Sequence, residues 1–346
     1  MIRQDYDLPF MLRYNNVAWY ESGQVKILDR RIYPQEVRFV TCTTHREVAQ
    51  AIADMVTQSA GPYTAAGMGM ALAAFEARDM DDEAMYRYLE AASETISHAR
   101  PTTANRMGQI TRACLDVAKT ARAKGQAVDV AIFESTVDAL NRRYSIMEKV
   151  GKHLCGLIPH HGRVLTQCFG ETIIGMMLRI LKHEGKDVAF YCCETRPYYQ
   201  GARLTATCSQ QMGFETTVIT DNAAAYVMKT IGIDLFTSAA DTIATDGHIA
   251  NKIGTYQLAI LAQHFHIPYY VTGIPDKDKA SVADITIEMR SPSDMLEGRT
   301  HTGVKGLYPA FDITPPELIT GVVTDKGVYK ADRLGTYFDT TTEQFY

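Results

Sequence analysis

Four side chains in this sequence combine a reactive type with a setting that could use it: Cys168 in VLTQCFGET, Asp241 in FTSAADTIA, and the adjacent pair Asn251 and Lys252. Cys168 ends a short apolar run and is followed by Gly170 and a helical pattern. A helix N-terminus facing a thiol can lower its pKa and supply a usable thiolate. Asp241 follows the small residues Ala239 and Ala240, and burial among these and Ile243 would raise its carboxyl pKa and make it a proton donor near neutrality. Asn251 and Lys252 read as the opening of a helix, where amides and an ammonium attract phosphate. Arg196, Gln200 and Arg203 in ETRPYYQGARLT lie in a loop entering a helix, a geometry suited to anions. Each has a plainer use: a buried core thiol, a turn aspartate, a solvated arginine. Cys192 and Cys193 fall inside an apolar strand and read as packing. The pairs His160-His161 and His264/His266 lack a third ligand at a metal-site spacing, so no metal is expected.

Short apolar runs at 163–168, 187–193, 216–220, 235–239 and 269–272 alternate with helical patterns at 171–184, 200–212, 222–231 and 251–265. That alternation predicts a doubly wound parallel sheet, in which ligands sit beyond the carboxyl ends of the strands. Cys168 and Asp241 both fall at such ends. No Gly-x-Gly-x-x-Gly follows any strand, which speaks against an ordinary dinucleotide site. Residues 315–322 read as a helix before a terminal strand or tail.

Before this part the texture differs. A hairpin is expected around Ser22-Gly23 and a strand at 38–42. Thr44 and Glu47 fit a capping box, whose helix should run to Gly61-Pro62. More helices follow to residue 150, with breaks at 79–82, 99–101 and 124–125. The fold class is therefore α/β, with a small β element plus helical N-terminal domain over 1–150 and a Rossmann-like doubly wound parallel-sheet domain over 151–346.

Composition narrows the function. A net charge of -5, with 35 basic residues interspersed among 40 acids, gives no basic stripe, and a nucleic-acid partner is not expected. Seven scattered cysteines in 346 residues suit reduced thiols in the cytoplasm. The N-terminal MIRQDYDLPF lacks a signal-peptide core and there is no long apolar run, so neither export nor membrane insertion is expected.

Taken with ETRPYYQGARLT and PAFDITPPELITGVVTDKG, these residues make the chain resemble the 5-methylthioribose-1-phosphate isomerase family, itself similar to regulatory subunits of the initiation-factor guanine exchanger. The resemblance implies Cys168 and Asp241 as catalytic residues, and Arg100, Gln200, Asn251 and Lys252 as substrate-binding. Two departures stand out: the family's Thr-His-Cys-Asn-Thr-Gly reads Thr166-Gln167-Cys168-Phe169-Gly170-Glu171 here, and its Arg-Gly-Ala-Pro loop corresponds to Thr57–Pro62, without the arginine. It further implies a phosphorylated pentose substrate, a place in methionine salvage, and a homodimer, which the small helical cover for the sheet also suggests.

An aldose 1-phosphate cannot open to a free aldehyde, because its anomeric oxygen is esterified. Asp241 could protonate the ring oxygen while a Cys168 thiolate removes the C2 proton; a direct C2-to-C1 hydride shift is equally compatible. Neither route needs a cofactor. The sugar could instead be 5-deoxyribose 1-phosphate or ribose 1,5-bisphosphate, and a non-catalytic, ligand-sensing protein is the reading from another class.

Overall fold

The computed structural model describes residues 3–100 and 104–341. The chain divides into two units, parted between Ser145 and Ile146. In the first, a four-residue helix α1 (Tyr14–Val17) leads into strands β1 (Ala18–Glu21), β2 (Gln24–Leu28) and β3 (Phe39–Cys42), paired antiparallel in that order. The β1–β2 turn has positive φ at both central residues, Ser22 at 50° and Gly23 at 77°, as a tight hairpin requires. A Cβ on Gly23 would lie 2.3 Å from the Phe75 ring, so the turn also needs glycine for space.

Helix α2 (His45–Ala53) starts with the expected capping box at Thr44 and Glu47. It stops earlier than expected: the chain turns through Met55 at φ 60°, and Gly61-Pro62 opens the next helix rather than closing this one. Helices α3 (Gly61–Glu76), α4 (Asp82–Ser97), α5 (Ala104–Ala123) and α6 (Val128–Leu157) follow. The expected break reaching Pro101 lies partly outside the described residues. Helix α3, rich in Ala, Gly and Met and buried nearly all round, is the core of this unit. Helix α6 continues through Gly151, where the texture of the sequence changes. A Cβ there would stand 2.9 Å from Ile180, so the helix packs closely on its neighbour.

The second unit is built on a seven-stranded sheet of β4 (Arg163–Thr166), β5 (Ala189–Cys193), β6 (Glu215–Ile219), β7 (Leu235–Ala239), β10 (Tyr269–Thr272), β12 (Gly321–Thr324) and β13 (Gly327–Tyr329). The spatial order is β13-β12-β10-β7-β4-β5-β6, parallel throughout except for the edge strand β13. Helices α7 (Glu171–His183), α8 (Ala206–Gln211), α9 (Ala224–Thr230) and α10 (Thr255–His264) connect them, with a four-residue α11 (Ser293–Leu296) in the last long connection. The core beneath α9 and α10 joins Leu165, Phe236, Val271 and Val322 from the strands to Val227, Leu258 and Ala262.

Three expectations change here. The helix predicted over 200–212 begins as a π-turn, Gly201–Thr205. The one over 251–265 begins only at Thr255, because β8 (Thr242–Ile243) and β9 (Ile249–Lys252) form a small antiparallel sheet with β11 (Phe311–Thr314). The helix over 315–322 is a single 3-10 turn, Pro316–Leu318, followed by β12; four consecutive buried residues beside β10 suit a strand covered on both faces.

Candidate active site

Outward from β4 the chain first builds β5 and β6 on one side, then crosses back to lay β7, β10 and β12 on the other. The reversal lies between β4 and β7, where an open parallel sheet leaves its crevice. Cys168 follows β4 and Asp241 follows β7, so the sheet places them on the two banks. A Cβ on Gly170 would stand 2.7 Å from the Ala239 Cβ, which puts the Cys168 turn directly against the end of β7.

Cys168 has φ 62°, a left-handed conformation that a side chain rarely adopts. Its amide donates to Thr195 Oγ1 at 3.1 Å, and the Thr205 hydroxyl donates to its carbonyl at 2.5 Å. Thr195, itself at φ 65°, donates its hydroxyl to the Cys193 carbonyl (3.0 Å), while its amide and that of Arg196 donate to the Asp221 carboxylate at 2.8 and 2.7 Å. The Gln167 amide group donates to the Ile253 carbonyl at 3.1 Å. Loops from β4, β5 and the β9–α10 turn are thereby stapled together.

The thiol is not the ready thiolate the sequence suggested. Burial pushes Cys168 up to about 11; Lys252 pulls it down, and Asp241 and Asp221 push it further up. These opposed pulls also show Cys168, Lys252 and Asp241 within electrostatic reach of one another. Asp241 departs from expectation too: it is exposed, so the burial invoked to make it an acid is missing.

Asn251 and Lys252 sit on β9, not at a helix start. Both are buried: Asn251 Nδ2 donates to Thr255 Oγ1 at 3.0 Å, and Lys252 Nζ donates to the Ala310 carbonyl at 3.1 Å and lies 4.5 Å from the Phe311 ring centroid. The N-terminus of α10 is filled by the chain itself, because the Asp312 carboxylate accepts from the amides of Gly254 (2.6 Å) and Tyr256 (3.1 Å). Burial raises Asp312 to about 6 against those two hydrogen bonds and Lys252. Sequence reading passed over this carboxylate, although it stands inside the distinctive PAFDIT stretch.

Gln200 is buried at the start of the π-turn, and its side-chain carbonyl oxygen has no hydrogen-bond partner. A Cβ on Gly201 would fall 1.8 Å from the Cys193 carbonyl oxygen, so glycine lets this turn close onto β5. The neighbouring arginines hold the loop: Arg196 donates to the Tyr199 hydroxyl, and Arg203 Nε and Nη2 donate to the Tyr198 carbonyl at 3.0 and 2.7 Å. Cys192 and Cys193 are core residues, as expected. Arg100 belongs to the first unit, half-buried in the bend after α4.

Comparison with known proteins decides the family. The profile of the initiation factor 2 subunit family matches residues 58–331. The chain belongs to that family. Within the initiation factor 2 subunit family its similarity runs to methylthioribose-1-phosphate isomerases: that of Chloroflexus aurantiacus is 35% identical over 331 residues, covering 90% of this chain and 94% of the relative. That of Roseiflexus sp. is 37% identical over 333 residues, covering 90% and 93%. Among solved structures, 5-methylthioribose 1-phosphate isomerase from Pyrococcus horikoshii superposes with a TM-score of 0.81 at 29% identity, covering 97% of this chain and 96% of that one. The delta subunit of translation initiation factor eIF-2B from A. fulgidus gives 0.78, also at 29% identity, over 91% and 96%.

Proposed function

We propose that this member of the initiation factor 2 subunit family is an aldose–ketose isomerase converting 5-methylthioribose 1-phosphate to the ribulose 1-phosphate, a step of methionine salvage. The carrying observation is the pair Cys168 and Asp241 on the two banks of the switch-point crevice, in a chain so similar over nine-tenths of its length to enzymes of that name. Gln200, Asn251 and Lys252 are its substrate-holding residues beside that pair, and the resemblance adds Arg100.

The charge states favour one of the two routes. Burial raises the thiol to about 11, which keeps it protonated at neutral pH. It is better suited to giving a proton than to taking one from carbon. Cys168 then protonates the ring oxygen as its bond to C1 breaks. Hydride passes from C2 to C1, and Asp241 takes the C2 hydroxyl proton, leaving a ketone at C2 and the phosphate ester at C1. Transfer of that proton from Asp241 back to the Cys168 thiolate restores the starting state. This reverses the roles expected from sequence.

Phosphorus NMR with a panel of aldose 1-phosphates tests the activity: 5-methylthioribose 1-phosphate should be consumed fastest, and no turnover of any member would leave the ligand-sensing reading. Substrate deuterated at C2 separates the routes. Deuterium should be retained at C1, whereas washout to solvent would restore the enolate route.

A homodimer formed through the second unit is part of this reading. Tyr226 (67% exposed) on α9, Ile231 (40%) at its C-terminal end, and Tyr256 (41%) and Ile260 (44%) on α10 leave apolar surface that a partner would bury. Sedimentation as a monomer at micromolar concentration would count against it. Cytoplasmic location is supported by seven cysteines joined in no disulfide, a state that persists where thiols are kept reduced.

A further inference from the structure

The second residue after each of four neighbouring strands is Asp241 for β7, Cys168 for β4, Thr195 for β5 and Asp221 for β6. The first two are the reacting pair, and the other two take no part in the steps above. They are nonetheless joined to Cys168 in a line along the carboxyl edge of the sheet. Asp221 opens the single 3-10 turn Asp221–Ala223, and its Oδ1 and Oδ2 accept from the amides of Thr195 (2.8 Å) and Arg196 (2.7 Å). One carboxylate thus grips two successive peptide groups. Thr195, itself buried, accepts the Cys168 amide on Oγ1 at 3.1 Å and donates its hydroxyl to the Cys193 carbonyl at 3.0 Å.

Thr195 stands at φ 65°, where a β-branched residue stays only if its surroundings impose it. The two amide bonds to Asp221 bear directly on that turn. After Asp221→Asn the side chain would accept through one oxygen only, and its NH2 group would meet the other backbone amide donor to donor. The direction of a Cα–Cβ bond is fixed by the peptide groups on either side of it. At Cys168 both are held from one segment, the amide by Thr195 and the carbonyl by the Thr205 hydroxyl at 2.5 Å. Gln200, between these two threonines, is braced without Asp221: the Ala202 amide donates to the Glu194 carbonyl at 3.3 Å, and Gly201 lies against the Cys193 carbonyl. Burial has the largest hold on the thiol. Of the charged groups that bear on it, Lys252 on β9 favours the thiolate, and Asp241 and Asp221 oppose it. Glu194 and Arg196 in turn lie within electrostatic reach of Asp221 and of each other.

We infer that Asp221 is a positioning residue for the proton donor, acting through Thr195 to hold the Cys168 turn. This rests on the isomerase reading with Cys168 as its acid. Asp221→Asn should lower kcat by about tenfold or more, with KM for 5-methylthioribose 1-phosphate kept within about twofold. Thr195→Val, which keeps the shape and loses the hydroxyl, should cost about as much, and Thr195→Ser should recover most of it. Because the two residues act in series, the double variant Asp221→Asn with Thr195→Val should be slower than the slower single variant by no more than about twofold. Losses that multiply would show independent roles and overturn the assignment.

A second readout needs no turnover: the rate at which iodoacetamide alkylates Cys168, the one half-buried thiol among six buried ones, followed against pH and located by peptide mass spectrometry. In Asp221→Asn the rise in rate should begin at lower pH, because a negative charge beside the thiol is gone; in Asp221→Glu, which keeps the charge but displaces it, the rise should stay in place while kcat falls. Asp221→Glu therefore decides the matter if Asp221→Asn does not fold, and a wild-type kcat in it would overturn the assignment. So would an unmoved alkylation profile or an unchanged kcat in Asp221→Asn, with the isomerase left intact. Conversely, if the wild type turns over no aldose 1-phosphate yet Asp221→Asn still moves the alkylation profile, the link from Asp221 to Cys168 stands and the isomerase reading falls.

Discussion

Helices α7 and α10 both begin at the carboxyl edge of the sheet, one just after Cys168 and the other just after Lys252, yet their N-termini are used differently. Helix α10 receives a carboxylate from a distant strand, with Asp312 accepting two of its first amides. Helix α7 has no side-chain cap at Gly170 and carries the buried acid Glu171 in its own first turn. A positive helix end is therefore not by itself a place for substrate phosphate or a device for ionising a thiol. At α10 the chain has filled the position. At α7 burial outweighs it, and the thiol stays protonated.

That contrast can be broken at either end. The largest effect expected is at Cys168→Ser, which should lower turnover by at least about a hundredfold with an unchanged circular dichroism spectrum. Asp241→Asn should cost about a hundredfold as well, and because the side chain is exposed its denaturant midpoint should hardly move. Near-normal turnover in either variant removes that residue from the chemistry.

The pH profile sharpens the α7 half. If Cys168 is the proton donor, activity should hold through neutrality and decline as pH approaches the thiol's value of about 11. Activity that climbs over this range would make the thiolate the working form. The smallest effect concerns α10. Asp312, raised from 3.8 to about 6, contributes stability that is fully present below 3.8 and lost as pH rises through 6. Asp312→Asn should therefore be more destabilising at pH 4 than at pH 7, read from urea midpoints; an equal cost at both would show that the carboxylate's burial has no energetic weight.

Much of this was legible in the residues. The parallel strands announced themselves as short apolar runs, and the positions of Cys168 and Asp241 at strand ends followed from them. The β8–β9–β11 sheet was not legible, because β9 (IANK) pairs with residues some sixty positions later, and local pattern carries no trace of that partner. The same long-range pairing delivers Asp312 and Lys252, so their true settings were hidden together. Burial of Asp241 was misjudged for a related reason: small apolar neighbours in sequence do not ensure a covered side chain, since the chain turns away at the end of β7.

The left-handed backbone at Cys168 carries a cost outside the chemistry. A non-glycine residue at φ 62° sits roughly 1–2 kcal/mol above the conformations it prefers, and the hydrogen bonds from Thr205 and to Thr195 hold it there. Glycine would meet no such penalty. The thiol thus occupies a position where selection for folding alone would prefer no side chain, and Cys168→Gly should be inactive while melting no lower than the wild type. Resilience and turnover are in conflict at this one residue, so screening variants for heat tolerance without an activity assay would enrich proteins that have discarded the thiol.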